Sequence, residues 1–306
     1  MYADLDLYRV FHAVARAGSV SAAARELYVS QPAVTQSVRK LEDQLGVALF
    51  QRTPRGMRLT PEGQTLLPYV DSACGFIDAA ERKIAETRSL HDGEIAIGAG
   101  DTLCKHYLIP HLKVFHEAYP RVRIHVTNRM TPETIALLKA GKVDLGIVNL
   151  PIDEDRALVV RETLTVHDCF VAGEKHRELS LAPVSLRDLA SCPVLLLEKG
   201  SNSRRFIDSF FKEKQVPFTP EIELGSNDLL AEFAAVGLGV ACVVREFVGP
   251  ELASGRLFEV KLVDEIPARK AGVVTLRDVP LSRAAREFVR LLERERSVLP
   301  SGELTL

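Results

Sequence analysis

Nowhere in the 306 residues does an apolar run approach the roughly 18 residues of a membrane span. The first residues, Met1 to Arg9, place Asp4 and Asp6 early and lack the basic start and apolar core of a secretory signal. The expectation is a cytoplasmic chain without a membrane partner. Cysteine is sparse: Cys74, Cys104, Cys169, Cys192 and Cys242 are odd in number and scattered, with no CxxC pair, which fits a reduced compartment. An excess of one charge is lacking too. Lys plus Arg number 39 and Asp plus Glu 41, a net of −2, which excludes a histone-like basic protein and an acidic disordered tail. There is no GxSxG, HExxH or P-loop and no prominent carboxylate pair, so nothing argues for an enzyme and no cofactor is expected. What remains is 46% hydrophobic and 26% charged, ordinary for globular domains, and long enough for two or three of them at about 100–200 residues each.

The near-neutral total hides an asymmetry. Residues 1–60 carry eight Lys/Arg against five Asp/Glu, and the excess falls between Ser30 and Arg58, where Arg39, Lys40, Arg52, Arg55 and Arg58 face only Glu42 and Asp43. Beneath it lies a helical pattern. Leu7, Val10, Phe11 and Val14 predict a first helix near 5–17, stopped by Gly18. Ser21 is placed to cap a second through Ala22, Ala23, Ala24 and Leu27. After a turn at Tyr28 and Val29, Ser30 caps a third that ends at Leu45 before Gly46. Pro32 is tolerated in the first turn, where amide hydrogens lack partners. On this third helix Val34, Val38, Leu41 and Leu45 share an arc of about 60°, while Pro32, Gln36, Arg39 and Asp43 lie opposite.

Two short strands follow, Leu49–Arg52 and Met57–Thr60, joined by Thr53-Pro54-Arg55-Gly56 with Arg55 at the tip. Three helices and an arginine-tipped hairpin describe a winged helix-turn-helix. A helix fits the major groove of DNA, and an arginine at the wing suits the narrow, electronegative minor groove. A small helical docking domain with a solvated polar face has the same spacing.

The residues themselves are more specific than the spacing. Ala23-Ala24-Arg25-Glu26-Leu27, Val29-Ser30-Gln31-Pro32-Ala33-Val34-Thr35-Gln36, Leu41-Glu42-Asp43-Gln44-Leu45-Gly46-Val47-Ala48-Leu49-Phe50-Gln51-Arg52 and Arg58-Leu59-Thr60-Pro61-Glu62-Gly63 resemble the LysR-type transcriptional regulators, in the family's order and spacing. The resemblance implies sequence-specific binding of double-stranded DNA. Gln31, Pro32, Thr35 and Gln36 would meet base edges, Arg39 and Lys40 phosphates, and Arg55 the minor groove, with Ser30 and Arg52 completing the contact set. Thr35 stands where the family usually has serine; the hydroxyl survives.

From Thr60 and Pro61 a long helix is expected over 61–92. Leu66, Val70, Ala73, Ile77, Ala80 and Ile84 are spaced 4, 3, 4, 3, 4, a two-stranded coiled-coil seam. A helix lying on its own domain is the alternative. Pro68 should kink it. The family's linker helix dimerises the DNA-binding domains, so the resemblance implies a homodimer here and a homotetramer through the domains that follow. Thr87 to Glu94, with Gly93, reads as the boundary.

Beyond it, strands alternate with helices. Strands are expected at Glu94–Ala99, Arg121–Thr127, Val143–Val148, Leu164–Val171, Val194–Leu197, Arg256–Val263 and Gly272–Leu276. Helices are expected at Thr102–Tyr119, Pro132–Ala140 and Ser203–Lys214, in a helix–Gly-rich–strand unit at Leu229–Val244, and at Ser282–Glu295. The alternation predicts parallel sheets covered on both faces. Two cycles and a returning strand predict two subdomains about a hinge, one of about 93–162 and 267–306, the other about 163–266, like periplasmic solute-binding proteins. Overall the expectation is an all-α winged head over 1–60, a linker helix over 61–92 and a two-subdomain α/β effector module over 93–306. The resemblance continues more loosely through Gly141-Lys142-Val143-Asp144-Leu145-Gly146-Ile147 and Ala235-Val236-Gly237-Leu238-Gly239-Val240, and implies a small-molecule effector.

Some motifs fail. Gly98-Ala99-Gly100 lacks a third glycine, where Leu103 stands, and an acidic partner, so it is not a dinucleotide site. Gly237-Leu238-Gly239 fits close helix–strand packing. His106, His111 and His116 are five apart and do not share a helical face; even with Cys104 they read better as surface or half-buried residues than as a metal site. Better candidates are the helix starts at the carboxyl ends of strands: Gly100, Asp101 and Thr102; Thr131; Ser201, Asn202, Ser203 and Arg204; and Ser226-Asn227-Asp228; Asn149 joins the candidate effector contacts. Plain N-capping explains each singly. Together, around one cleft, they expose amides that favour an anionic effector, with Arg204 adding charge and Asp101 opposing it. The alternative to a regulator is a solute-binding or transport component.

Overall fold

The computed structural model describes residues 4–53, 56–88 and 93–294. The chain divides into two compact units, 1–85 with 139–142, and 86–138 with 143–306. Three helices open the first: α1 (Leu5–Ala17), α2 (Val20–Glu26) and α3 (Gln31–Leu45). Gly18 turns left-handed at φ 62° to end α1, and Ser19 follows in extended backbone. Ser19, and not Ser21, therefore gives its side-chain oxygen to the Ala22 N–H, and α2 starts earlier than its alanines suggest. Ser30 caps α3 through the Ala33 N–H at 3.4 Å, and Gly46 closes it with φ 71°. Val34, Val38 and Leu41 are buried, but Leu45 is 39% exposed, because the chain turns away at Gly46.

The wing strands β1 (Phe50–Thr53) and β2 (Gly56–Leu59) pair antiparallel. The expected tip, Arg55, lies outside the described residues. Two contacts set the wing's position. The Glu42 carboxylate accepts the Leu49 and Phe50 N–H groups at 2.7 and 3.1 Å, and the Met57 N–H donates to the Gly18 carbonyl at 2.8 Å. A Cβ at Gly56 would come within 2.5 Å of that carbonyl, so only glycine fits. Phe11, Val14, Val34, Leu41 and Phe50 anchor the core, with the Phe11 and Phe50 rings 5.3 Å apart.

Thr60 caps the long helix α4 (Pro61–Arg88) through the Gly63 N–H at 3.0 Å. Pro68 does not interrupt it. Leu66 and Val70 of the heptad seam pack into the core of their own domain, as the alternative reading had it for a helix lying on that domain. Ala73, Ile77, Ala80 and Ile84 are exposed. His12 meets Asp71 at 2.9 Å and ties α4 to α1. Residues 89–92 of the expected boundary lie outside the described residues.

The second unit contains two five-stranded sheets. The first lobe is built from β3 (Glu94–Ala99), α5 (Asp101–Leu103), a π turn (Cys104–Leu108), α6 (Ile109–Ala118), β4 (Arg123–Asn128), α7 (Thr131–Lys139), β5 (Leu145–Asn149) and β6 (Leu158–Val166). The second holds β7 (Asp168–Ala172), α8 (Leu186–Ala190), β8 (Val194–Leu197), α9 (Asn202–Glu213), β9 (Ile222–Leu224), α10 (Asn227–Ala235), β10 (Val240–Val244), α11 (Gly249–Ala253) and β11 (Phe258–Val260). The chain then returns to the first lobe through β12 (Arg269–Leu276) and α12 (Arg283–Arg294). The strand orders are β4-β3-β5-β12-β6 and β11-β7-β10-β8-β9.

Two expectations are corrected here. The stretch Leu164–Val171 is two strands in different sheets, and the crossing is His167, later than a boundary at 162/163. The sheets are also mixed rather than parallel: β12 runs against β5 and β6, and β7 runs against β10 and β11. The reason is geometric. The parallel strands end at the cleft, whereas β7 and β12 begin at the crossings and must run the other way. Both faces are covered: α6 and α12 lie on one side of the first sheet, where Phe115 and Phe288 meet edge to face at 5.1 Å. On the other side α7 sets the fully buried Thr134 against two glycines, since a Cβ at Gly98 or Gly146 would come within 2.8 Å of its methyl. That packing, rather than a nucleotide, accounts for Gly98.

Asp168 at the start of β7 and Arg269 at the start of β12 form a buried bidentate pair, Nε–Oδ2 2.5 Å and Nη2–Oδ1 2.9 Å, with side chains 4% and 2% exposed. Removing one charge leaves the other buried and unpaired, so Asp168→Asn should cost about 3–5 kcal/mol in urea unfolding. The double change Asp168→Leu with Arg269→Met should cost clearly less than the sum of the two single changes. Additive losses would show that the pair is not coupled.

Candidate nucleic-acid interface and ligand cleft

In the first unit, the start of α2, the exposed face of α3 and the two wing strands enclose a groove of about 700 Å³. It brings together Gln31, Pro32, Thr35, Gln36, Arg39 and Arg52 of the expected contact set. The burial pattern explains why. With Val34, Val38 and Leu41 turned inward, residues at 31–32, 35–36 and 39 are forced outward. Ser30 is spent on the cap, and Lys40 is exposed outside the groove. Arg39, Lys40, Arg52 and Arg58 make no ion pair among the described residues, so their charge faces solvent. Sequence reasoning missed Ser19, Val20 and Met57, which also line the groove. The cap at Ser19 could have revealed the first two; Met57 depends on the Gly18 contact and has no sequence signal.

In the second unit the helix starts do converge, and they hold one another. Ser226 Oγ donates to Asp101 Oδ2 at 3.3 Å, and Asn227 Nδ2 donates to Thr102 Oγ1 at 3.1 Å. Asn202 Nδ2 donates to the carbonyls of Asn149 and Pro151, both at 2.9 Å. Thr131 is buried at the start of α7 and accepts the Asn149 N–H at 3.3 Å. Gly100 precedes α5 without a side-chain cap. Each of the first three contacts joins one lobe to the other, so the cleft is bolted by its own caps.

Arg204 does not offer its charge to the cleft. It is 4% exposed and gives its donors to Asp208 at 2.8 Å, the Leu197 carbonyl at 2.7 Å and Glu223 at 3.2 Å. Ser201 caps α9 through the Arg204 N–H at 3.1 Å. Ser203 lines a space of only about 10 Å³ with Asp168, Leu197 and Asn227, room for a single water at most.

Asp228 was seen only as part of a helix start, yet it meets Lys105 and His106 of the opposite lobe, both at 3.0 Å. His106 stacks on Phe247 with centroids 4.5 Å apart. Burial raises the Asp228 carboxyl, but hydrogen bonds from His106 and Lys105 outweigh it and hold the group below its usual range. His111 Nδ1 instead meets the Tyr107 carbonyl at 2.6 Å. No group of His, Cys, Asp and Glu able to hold a metal occurs among the described residues. All five cysteines are free, and burial pushes the thiols of Cys169 and Cys242 up. No helix among the described residues is long and apolar enough to cross a membrane.

Both parts of the chain match known families. Residues 5–64 match the family described as bacterial regulatory helix-turn-helix protein, lysR family, and residues 88–297 match the LysR substrate binding domain. The chain is 30% identical over 277 residues to a probable RuBisCO transcriptional regulator of Guillardia theta, covering 89% of each. It is also 30% identical over 293 residues to the HTH-type transcriptional regulator BbuR of Bordetella bronchiseptica, covering 94% of this chain and 87% of that one. Among solved structures, CbnR, a LysR family transcriptional regulator, superposes with a TM-score of 0.68 over 97% of this chain and 100% of that one, at 17% identity. CbnR complexed with its target DNA gives 0.68 over 95% and 99%, at 18% identity. A helix-turn-helix head and a two-lobed ligand module, in one chain and matched over nearly its whole length, place this protein in the LysR family of transcriptional regulators.

Proposed function

We propose that the chain reads a split DNA site as a dimer and that a small molecule held between the lobes of its effector module modulates that binding. The observation that carries the DNA reading is the groove in which Gln31, Thr35, Gln36, Arg39 and Arg52 come together. Hydrogen-bonding side chains lie along the helix axis and arginines flank them, the division between base readout and phosphate contact. Duplex affinity should fall with salt, with a log–log slope of about −0.9 per phosphate neutralised. Thr35→Ala and Gln36→Ala should each cost about 1–3 kcal/mol on the specific site and little on random DNA, measured by gel shift at fixed salt. Equal losses on both DNAs would remove these residues as readers.

Dimerisation is supported by the exposed second half of the α4 seam, where Ile77 and Ile84 are 38% and 61% exposed. Ile77→Glu would bury a charge in the paired seam and should shift sedimentation toward monomer. An assembly unchanged from the parent would exclude α4 as the interface. Exposed Ile109, Val126, Leu229 and Val236 on the effector module support a second pairing, and hence a tetramer.

The effector is read as a small polar molecule contacting Thr102, Thr131 and Asn202, with Gly100, Asp101, Asn149, Ser201 and Ser203 around it. The starts of α7, α9 and α10 support an anionic group, now without Arg204 as counter-ion. A ligand here must replace the bonds between the lobes, so it acts through its differential affinity for two lobe arrangements. Thr131→Val and Asn202→Ala should each abolish the DNA response to the effector while leaving basal DNA affinity near normal, checked by calorimetry and footprinting. Unchanged effector affinity in both would place the site elsewhere.

A further inference from the structure

A larger space lies beside the cleft. The loop after β5, the exposed face of β6, the start of β12 and Phe206 of α9 enclose a cavity of about 430 Å³. That is within the range of about 300–1,000 Å³ typical of small-molecule sites. It shares no residue with the effector contacts proposed above. Its floor is apolar, formed by Ile152, Leu158, Val160 and Phe206.

The charge around that floor is predominantly acidic. Asp153, Glu154, Asp155 and Glu162 line the cavity, against Arg269 and Lys270. Arg269 is already balanced by Asp168 in the buried pair, and Lys270 donates to Thr165 at 2.7 Å. Asp153 and Glu154 have no ion pair or side-chain hydrogen bond among the described residues. An apolar pocket with two free carboxylates at its mouth is complementary to a molecule with an apolar body and a cationic head.

We infer that this cavity is a second small-molecule site, for an organic cation such as an arylalkylammonium, with Ile152, Val160 and Phe206 holding the body and Asp153 and Glu154 the charge. Phe206 belongs to the second lobe and the remaining floor to the first, so the occupant touches both. The occupant shares no contact residue with the cleft ligand, and because it touches both lobes it responds to the same lobe arrangement.

The test uses three probes of similar shape, phenethylammonium, 2-phenylethanol and phenylacetate, titrated into the full chain by calorimetry. Phenethylammonium should bind tightest, and phenylacetate at least about tenfold more weakly. Asp153→Asn with Glu154→Gln should weaken the ammonium about fourfold or more while leaving the alcohol unchanged. Val160 is 42% exposed on an edge strand, so Val160→Phe should fill the cavity and abolish binding without altering the melting temperature. Thr131→Val, in the cleft, should leave probe binding intact. Any of four results would overturn the proposal: no binding of the ammonium, preference for phenylacetate, binding that survives Val160→Phe, or binding lost in Thr131→Val.

Discussion

Asp168 and Arg269 stand where the chain crosses between lobes, one at the first residue of β7 and the other at the first residue of β12. Their pairing joins the outward and returning crossings at one buried point. Arg269 also reaches the side chain of Asn149, whose carbonyl accepts from Asn202 across the cleft. One guanidinium thus fixes both crossings, the end of β5 and, at one remove, the start of α9. A pair this buried is costly to desolvate and gives little net stability over an apolar substitute. Its value lies in allowing few alternative arrangements of the hinge.

The same logic, with weaker groups, governs the cleft. Ser226, Asn227 and Asn202 bond across it with neutral partners or, at Asp101, an exposed carboxylate. Each such bond contributes about 0.5–1.5 kcal/mol net, small enough for a ligand to exchange. A hinge held by a buried ion pair and a mouth held by exchangeable bonds, the part-exposed Asp228–Lys105 pair among them, is a sound division for a module that must open without unfolding. In the head, rigidity has another source: Glu42 and Gly18 fix the wing to α3 and to the turn before α2, so that Arg52 and Gln36 share one groove.

Much of this was legible in the sequence because it follows from local rules. The periodic Val34, Val38 and Leu41 and the Ser30 and Gly46 ends define α3, and the outward residues follow from the inward ones. The strands Glu94–Ala99 and Val194–Leu197 stand where their apolar runs predict. What failed was non-local. Ser21 is the cap the sequence reading expects, but the left-handed turn at Gly18 leaves Ser19 in extended backbone and gives it that place. The crossing at His167 is marked only by the polar pair His167-Asp168 inside a strand-like stretch, which reads equally as one strand with a polar interruption. Arg204 resembled a ligand-binding cation; Asp208, one helical turn on, was a legible local partner, whereas Glu223 came against it only on folding. The pair Asp168–Arg269, 101 residues apart, had no local signature.

Hydrogen exchange, followed by mass spectrometry on the full chain, tests the central role of that pair most directly. Arg269→Met keeps bulk at the crossing but removes the charge that binds Asp168 and Asn149. Exchange should accelerate together at the end of β5, the start of β7 and the start of α9, with α1 to α3 unchanged. Acceleration confined to β12 would contradict the account, because the crossings would then be held independently and Arg269 would be one buried residue among many.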